Sequence, residues 1–282
     1  MRLGRISYVN MAPVFYRVDA EVEEVQGVPT ELNRLLIEGE LDTAPISSIE
    51  YARNADKLRL LPRLCVASEG AVDSIQLVSK KPLEQVRVVA VTPASATSVA
   101  LTKVLIPEAE QVPLAAYEDG DADAKLLIGD AALKSAFEDP TPHHDLGRLW
   151  LERTGLPMVF AVWACPEPLA EGLAELEDAL VSSVRLARAE PEQLAFESAE
   201  RYGYPAGFLA RYFEKLRYRF GPRERAGFYT FLEKARDVGE LDEVPELRFV
   251  AAGARLRAGR AARDELTTAA AGPLRQPRPR SR

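Results

Sequence analysis

The fold is decided near the start of the chain by residues 4–16, G-R-I-S-Y-V-N-M-A-P-V-F-Y. Ile6 and Tyr8 belong to a short predicted strand, and Asn10 and Pro13 end it. A strand that ends in a polar amide and a proline places Asn10 at the carboxyl edge of a sheet, where open α/β folds bind their ligands. We therefore expect Asn10 to face a small-molecule cleft, although a buried amide that satisfies a turn explains the same residue equally well.

The composition is that of an ordinary globular protein and excludes several functional classes. The chain has 282 residues, of which 47% are hydrophobic and 28% charged, enough for one large or two modest domains. Its net charge of -7 argues against a dedicated nucleic-acid binder, which carries a basic face. No stretch approaches the roughly 18–20 apolar residues that a membrane helix needs. We expect a small-molecule partner, no nucleic acid and no membrane, and the oligomeric state stays open.

The N-terminus and the two cysteines favour a cytoplasmic location. The first residues carry a positive charge but no apolar core of about 7–15 residues, so they do not predict a secretory signal. Cys65 and Cys165 are far apart and belong to no C-x-x-C or Cys/His cluster. We therefore expect neither a disulfide framework nor a structural zinc site.

Two later strand-to-helix junctions carry small polar residues. Pro45 is expected to stop a short strand, and Ser47 or Ser48 can begin the helix that follows. The strand predicted over Arg87–Val91 runs into T-P-A-S-A-T-S, and a helix begins near residues 95–98. Such a helix start offers free N–H groups and the positive end of the helix dipole to a carboxylate or phosphate. Simple capping by Ser or Thr explains the same residues and is the more frequent use.

Other polar residues have structural explanations. Thr30 is expected to cap one helix, and Asp130 is expected to cap the helix after the buried strand Ala124–Ile128 rather than to act in catalysis. His143 and His144, the only histidines, lie in a Pro-rich loop that is typical of a solvated turn. Because no second ligand cluster accompanies them, we expect no metal site.

The order of the predicted elements indicates an α/β protein with two lobes, a clamshell between whose halves the chain crosses twice. The apolar stretch Met158–Ala164 is typical of a strand buried on both faces. We predict a larger lobe from residues 1–86 and 160–252 and a smaller lobe from residues 87–159. The tail, residues 253–282, has eight Arg against two acidic residues, a composition typical of a disordered segment.

The cleft between the predicted lobes is where we expect a ligand. The residues predicted to line it carry no charge: Asn10, Ser47, Ser74, Ser95, Thr97, Ser98, Gly155, Pro157 and Met158. Together they offer hydroxyls, an amide and backbone N–H groups. Such a neutral lining suits a small anionic ligand held without a dedicated arginine. It does not by itself indicate catalysis.

Five blocks of the sequence together resemble one known family. They are G-R-I-S-Y-V-N-M-A-P, L-D-T-A-P-I-S-S-I-E, C-V-A-S-E-G-A-V-D-S, L-L-I-G-D-A-A-L and L-W-L-E-R-T-G-L-P-M-V-F-A-V-W-A. In this order they are similar to the chorismate dehydratases, the first enzymes of the futalosine route to menaquinone. The resemblance extends from residue 3 to residue 250. It implies a type-2 periplasmic-binding-protein fold, in agreement with the clamshell predicted from the elements.

The resemblance also implies a reaction. It is a hydro-lyase step without cofactor or metal, in which chorismate loses water to give 3-[(1-carboxyvinyl)oxy]benzoate. Asn10 and Ser74 match the family's functional asparagine and serine and are the expected catalytic residues. No strong protein base is evident, so the substrate's own enolpyruvyl carboxylate is the hypothetical proton acceptor.

One departure from the family pattern concerns the start of the third helix. Where the resemblance predicts S-R-T-S, this chain has Ser95, Ala96, Thr97 and Ser98. The missing guanidinium weakens the case for an arginine that binds substrate from this loop. The family pattern nevertheless implies that Thr97 and Ser98 hold a substrate carboxylate at the helix N-terminus.

Other classes of protein remain open. A solute receptor of a transporter would share the fold, but the lack of a predicted secretory signal argues against it. The sister lyase of the pathway, which forms a naphthoate, depends on a histidine, and His143 and His144 lie outside every matching block. A cytoplasmic protein that senses an aromatic acid is a third alternative.

Overall fold

The computed structural model describes residues 1–250, within which Met1–Phe249 forms one compact unit. The predicted tail, residues 253–282, lies outside the described part of the chain, as do the last residues predicted for the larger lobe. Within residues 1–250, no helix is long and apolar enough to cross a membrane. The cytoplasmic location stays a prediction.

The strands of the described chain form three sheets. In chain order they are β1 (Arg2–Ile6), β2 (Glu23–Gly27), β3 (Ala44–Ser47), β4 (Leu58–Ser68), β5 (Ile75–Ser79), β6 (Val88–Val91), β7 (Glu110–Pro113), β8 (Ala124–Ile128), β9 (His143–Asp145), β10 (Met158–Pro166) and β11 (Leu216–Arg219). β1 and β2 form a parallel pair. The order β11-β4-β10-β3 makes an antiparallel sheet, and β7-β6-β8-β5-β9 makes a mixed sheet.

Helices connect most of these strands. They are α1 (Pro29–Ile37), α2 (Ser48–Arg53), α3 (Ala96–Leu105), α4 (Ala115–Glu118), α5 (Gly129–Glu138), α6 (Leu146–Thr154), α7 (Leu173–Ala189), α8 (Pro191–Tyr202), α9 (Ala206–Lys215) and α10 (Pro222–Asp237), with 3-10 turns at Val9–Met11 and Leu83–Gln85. This alternation of strands and helices confirms the predicted α/β class.

The strand β10 is an inner strand of the four-stranded sheet and is buried along most of its length. Every residue from 158 to 165 is at most 8% exposed. β10 pairs in antiparallel orientation with β3 on one side and β4 on the other. Burial on both faces explains the continuous apolar stretch and confirms the prediction made for Met158–Ala164.

The mixed sheet collects the strands that lie between residues 75 and 145. These strands fall mostly within the segment predicted as the smaller lobe. Because contacts join Met1–Phe249 into a single unit, the exact lobe boundaries stay a prediction.

The opening stretch forms β1, which passes very close to the segment that leads into β3. The backbone N–H of Gly4 donates to the carbonyl of Thr43 at 2.9 Å. A Cβ atom built on Gly4 would lie 2.5 Å from the Cβ of Ala44, so only glycine permits this approach. The contact holds β1 against this segment, and the turn that contains Asn10 follows β1.

Two predictions about proline and threonine are wrong. Thr30 does not cap a helix, because α1 already begins at Pro29, whose missing N–H and preset φ suit the first helical position. Pro45 does not stop a strand and instead lies inside β3. β3 is an edge strand of its sheet. A proline is tolerated there, because its missing N–H can face the side that has no partner strand.

Two further predictions about polar residues are corrected. Asp130 lies in the first turn of α5 and does not cap it, since its carboxylate accepts from the backbone N–H of Val9 at 3.2 Å. His143 and His144 do not form a solvated turn. They are half-buried and pair with β5 in the short edge strand β9. The sequence did not predict this strand, because three residues are too few to show the alternation of apolar and polar side chains that marks a strand.

The helix α10 packs against the beginning of β10 through a glycine. Gly227 is buried, and a Cβ atom built on it would lie 2.0 Å from the carbonyl oxygen of Pro157. Side chains essentially never approach a backbone oxygen so closely, so any residue larger than glycine must push the two elements apart.

We predict that Gly227→Ala lowers the free energy of unfolding by about 2–3 kcal/mol, because the methyl group would displace α10 from β10. Gly207→Ala is the matched control. It lies in α9, where the nearest atom to a new Cβ is the Nη1 of Arg211 at 3.9 Å. There the same change should raise stability by up to about 1 kcal/mol through helix propensity. Denaturant unfolding of both variants measures the difference, and equal effects would contradict the packing argument.

Candidate active site

A cavity of about 50 Å³ lies where several strand ends and helix starts meet. Five of the residues predicted to line a ligand cleft line it: Asn10, Ser47, Ser74, Ser95 and Ser98. They come from four different segments between β1 and α3, since Ser95 and Ser98 both belong to the start of α3. The rest of the wall is largely apolar and includes Ile6, Val66, Val72, Ile75, Phe160 and Leu216.

Asn10 is held in the 3-10 turn that follows β1. Its backbone carbonyl accepts a hydrogen bond from the hydroxyl of Tyr218, on β11. Its side-chain Oδ1 is buried and has no hydrogen-bond partner among residues 1–250. A buried acceptor without a partner costs free energy, so this amide does not simply satisfy a turn. The unpaired oxygen is free to accept a hydrogen bond from a ligand.

Ser47 is fixed by a reciprocal pair of hydrogen bonds. The Nδ2 of Asn33 donates to the Ser47 Oγ at 3.0 Å, and the Ser47 backbone N–H donates to the Asn33 Oδ1 at 2.9 Å. Both residues are buried. Since the hydroxyl oxygen already accepts, its own proton stays available to a group in the cavity.

Ser74 lies at the end of a loop that one carboxylate organises. The Asp145 carboxylate accepts from the backbone N–H of Val72 at 3.0 Å and from that of Asp73 at 2.7 Å. Asp73 has a φ of 59°, an unusual backbone conformation for a residue other than glycine. The Ser74 hydroxyl makes only a long contact, 3.4 Å, with the Val72 carbonyl. Its hydrogen-bonding capacity is therefore largely unused.

The start of α3 presents two serines to the cavity. Ser95 is the N-cap, since its Oγ accepts from the backbone N–H of Ser98 at 3.2 Å. The Ser95 hydroxyl donates to the Ser98 Oγ at 2.9 Å, so the Ser98 proton has no acceptor within residues 1–250. Capping and ligand binding are thus compatible here, because the cap leaves one hydroxyl proton free at the positive end of the helix dipole.

Thr97 lies in the first turn of the same helix but does not line the cavity. Its Oγ1 accepts from the backbone N–H of Ile49 at 3.4 Å, which connects α3 to α2. Its side chain is 1% exposed. In this structure Thr97 joins two helices.

Gly155, Pro157 and Met158 also lie outside the cavity. Gly155 ends α6 with a φ of 70°, and the Pro157 carbonyl accepts from the indole N–H of Trp150 at 3.2 Å. Met158 is fully buried at the start of β10. Phe160 and Ala161, two and three residues further along that strand, reach the cavity instead.

The cavity has a neutral lining. Within residues 1–250 no Asp, Glu, Lys, Arg or His side chain lines it. The only phenol in the wall is that of Tyr8, whose pKa is raised mainly by burial and also by the nearby carboxylate of Asp130. Burial likewise raises the pKa of Asp130, against the hydrogen bond from Val9. Tyr8 packs on Gly129, where a Cβ would lie 2.6 Å from the ring.

Two buried tyrosines lie close to residues of the cavity and were not predicted to do so. Tyr218 holds the Asn10 backbone. Tyr212, on α9, is 1% exposed, and its hydroxyl has no partner at hydrogen-bonding geometry among the described residues. Burial raises the pKa of Tyr212, and the proximity of Ser74 opposes this in part. In sequence both tyrosines look like ordinary core aromatics, so no local signal separates them from packing residues.

Solved structures share this architecture. A protein of Archaeoglobus fulgidus superposes with a TM-score of 0.71 at 21% identity, over 85% of this chain and 98% of the other. The periplasmic aliphatic sulphonate binding protein of Escherichia coli has a TM-score of 0.60 at 17% identity, over 88% and 94% of the two chains. The fold is therefore periplasmic-binding-protein-like, as predicted.

Curated relatives are found among enzymes. The chorismate dehydratase of Thermus thermophilus is 37% identical over 82% of this chain and 93% of its own length. The chorismate dehydratase of Campylobacter jejuni is 36% identical over 60% of this chain and 70% of its own length. The 1,4-dihydroxy-6-naphtoate synthase of Thermus thermophilus is more distant, 27% identical over 68% and 76%. A family model described as menaquinone biosynthesis matches residues 1–237. This chain therefore belongs to the menaquinone-biosynthesis family.

Proposed function

We propose that this chain is a chorismate dehydratase, a carbon–oxygen lyase that converts chorismate to 3-[(1-carboxyvinyl)oxy]benzoate and water. The enzyme function rests on the family and on the two relatives that carry this name. The observation that best supports the site is the cavity, which Asn10 and Ser74 both line. Asn10 brings an unpaired buried oxygen to it, and Ser74 brings a hydroxyl that is barely engaged.

The chemistry demands orientation more than a strong catalyst. The proton on the ether-bearing ring carbon is vinylogous to the ring carboxylate, which makes it acidic. Its bonding electrons form a new ring double bond as hydroxide leaves the neighbouring carbon, and the proton and hydroxide together account for the water released. Because the ring becomes aromatic, holding the reactive geometry and stabilising the carboxylate supply much of what the reaction needs.

Asn10 and Ser74 are the proposed catalytic residues. The Asn10 Oδ1 can accept a hydrogen bond from the ring hydroxyl and so fix the orientation of the leaving group. The Ser74 hydroxyl can donate to the same oxygen or to the ring carboxylate. Asp145 acts indirectly, because it holds the backbone of Val72 and Asp73, which precede Ser74, rather than touch the substrate.

The carboxylates are proposed to bind at neutral donors. Ser47 and Ser98 each offer a hydroxyl proton that no acceptor within residues 1–250 uses. Ser98 also lies in the first turn of α3, where the helix dipole favours an anion. The side chain of Thr97 is engaged with Ile49, so we expect it to support this site from behind.

The proton acceptor is proposed to be the enolpyruvyl carboxylate of the substrate itself. Among residues 1–250 the cavity wall contains no carboxylate, imidazole or amine that could serve. His143 and His144 belong to β9 and do not line the cavity, which disfavours the histidine-dependent sister reaction.

The cavity must widen for the substrate to enter. Its volume of about 50 Å³ is far below the roughly 300 Å³ at which small-molecule pockets begin. Beside it, Asp130 follows the wall residue Gly129, and its carbonyl accepts a hydrogen bond from the Tyr204 hydroxyl at 3.1 Å. Phe137, on the same helix α5, makes an edge contact with Phe208. We infer that these contacts separate and re-form during turnover.

The reaction is tested directly with purified protein and chorismate. We expect chorismate to disappear and one equivalent of an aromatic dicarboxylate with a mass lower by one water to form, without added metal or cofactor. Ultraviolet spectra and mass spectrometry follow both. Tight binding of chorismate without turnover would instead support a solute-binding protein.

Asn10→Ala should separate activity from stability. We expect kcat/KM to fall by about 100-fold or more, because an oriented polar contact at the reacting centre is lost. The free energy of unfolding should change by less than about 1 kcal/mol, since the removed oxygen makes no hydrogen bond to any of residues 1–250. Asn54→Ala, whose Nδ2 donates to the Glu50 carbonyl away from the cavity, is the control and should keep full activity. A fully active Asn10→Ala enzyme would rule out this site.

The pH dependence follows from the neutral lining. Tyr8 stays protonated below its raised pKa, which lies above the ordinary value of about 10, so the cavity wall does not change charge at neutral pH. We expect kcat/KM to be flat between about pH 6 and 9 and to fall only at acidic pH, where carboxylates protonate. A pH–rate profile checks this. A limb near pH 6.5, the signature of a histidine base, would contradict the proposed proton acceptor.

A further inference from the structure

A second concave surface, apart from the active-site cavity, is lined by five arginines. They are Arg63, Arg185, Arg188, Arg219 and Arg225, and we refer to the surface as the arginine groove. Its volume is about 830 Å³, and among residues 1–250 no Asp or Glu lines it. No residue of this described part lines both the groove and the active-site cavity. A ligand in the groove would therefore bind apart from the substrate.

Two of the five arginines are held rigidly. Arg63 forms ion pairs with Glu177 at 2.9 Å and Asp178 at 2.7 Å, which neutralise its charge. Arg225 donates to the backbone carbonyls of Pro62 at 2.7 Å and Phe220 at 3.2 Å. Carbonyl acceptors orient a guanidinium without cancelling its charge, so Arg225 contributes a fixed positive charge to the groove.

The other three arginines have free side chains. Arg185 and Arg188 lie on α7, three residues apart and so on neighbouring parts of one helix face, and Arg219 lies on β11. All three are exposed, and within residues 1–250 no hydrogen bond or ion pair engages their guanidinium groups. With Arg225, four positive charges therefore meet in one groove without a carboxylate partner in the described chain. This concentration is notable in a protein whose net charge is -7.

The groove suits a small anion with an organic framework. A concave surface lined by charges of one sign focuses the potential and concentrates counter-ions. Guanidinium groups bind carboxylates and phosphates through paired, charge-assisted hydrogen bonds. The remaining wall is apolar and includes Leu64, Val184 and Phe220, and the volume falls in the usual range of small-molecule sites. A nucleic acid or an acidic protein surface would match a flat or extended basic face better than this recess.

We propose that the arginine groove is a second binding site, for a small organic anion that carries two or more carboxylate or phosphate groups. The four arginines without a carboxylate partner lie on three elements, α7, β11 and α10. An anion that contacts all three elements needs more than one anionic group. The exposed, unpaired arginines of α7 and β11 bind the anion, and Arg225 provides the fixed contact.

The experiment uses pyrophosphate and citrate as probes, titrated calorimetrically into the full chain at low ionic strength, where screening is weak. We expect saturable binding of at least one probe, with one anion per chain. Arg185→Gln/Arg188→Gln should weaken it by about tenfold, since two charge-assisted contacts are lost. Arg219→Gln, on a different element, should weaken it several-fold.

The control is Arg201→Gln/Arg211→Gln, which removes the same charge from two exposed arginines outside the groove. It should leave the affinity unchanged. Preference for pyrophosphate would identify a phosphate-bearing ligand, and preference for citrate a polycarboxylate. The proposal is overturned if neither probe binds saturably, or if the groove variants and the control lose affinity equally. None of these readouts requires turnover of chorismate, so the outcome is independent of the proposed reaction.

Discussion

The buried carboxylate of Asp145 is the interaction on which the proposed active site depends. It accepts hydrogen bonds from the backbone N–H groups of Val72 and Asp73 and from the side chain of Gln76, and it also caps α6 through the N–H of Arg148. Burial raises its pKa, and these N–H donors oppose the rise. A buried carboxylate is tolerated only when such donors satisfy it. One side chain thereby joins a helix to the loop that ends at Ser74, and the strained turn at Asp73 persists because both its neighbours are held.

The cavity and the arginine groove are proposed to bind anions through different chemistry. The active-site cavity offers neutral hydroxyls and an amide, whereas the groove behind β11 offers guanidinium groups. A strong ion pair would stabilise a bound dicarboxylate as much as its transition state, which tightens binding without accelerating the reaction. Weak, oriented donors avoid this, since they can strengthen as charge moves from the ring to the leaving oxygen. β11 lies at both places, because Leu216 lines the cavity and Tyr218 lines the groove.

Local sequence patterns predicted those cavity residues that lie at the end of a strand or the start of a helix. Asn10, Ser47 and Ser95 each follow or end a strand, where small polar residues mark a turn or a helix start, and all three line the cavity. The contribution of β11 was not predicted, because Leu216 lines the cavity and Tyr218 bonds the Asn10 carbonyl from more than a hundred residues away in sequence, and neither residue carries a pattern of its own. The turn at residues 155–158 was expected to line the cleft. The pairing of β10 with β4 instead brings Phe160 and Ala161 to the cavity, and only tertiary structure sets that offset.

Both edges of the mixed sheet are short, and this affects how the protein behaves at high concentration. The strand β7 has four residues and ends in Pro113, which has no N–H to offer, and β9 at the opposite edge has three residues. An edge of this kind gives a strand from another molecule too few backbone groups to pair with. The sheet therefore resists growth by strand addition, the route by which exposed edges seed intermolecular β-aggregates.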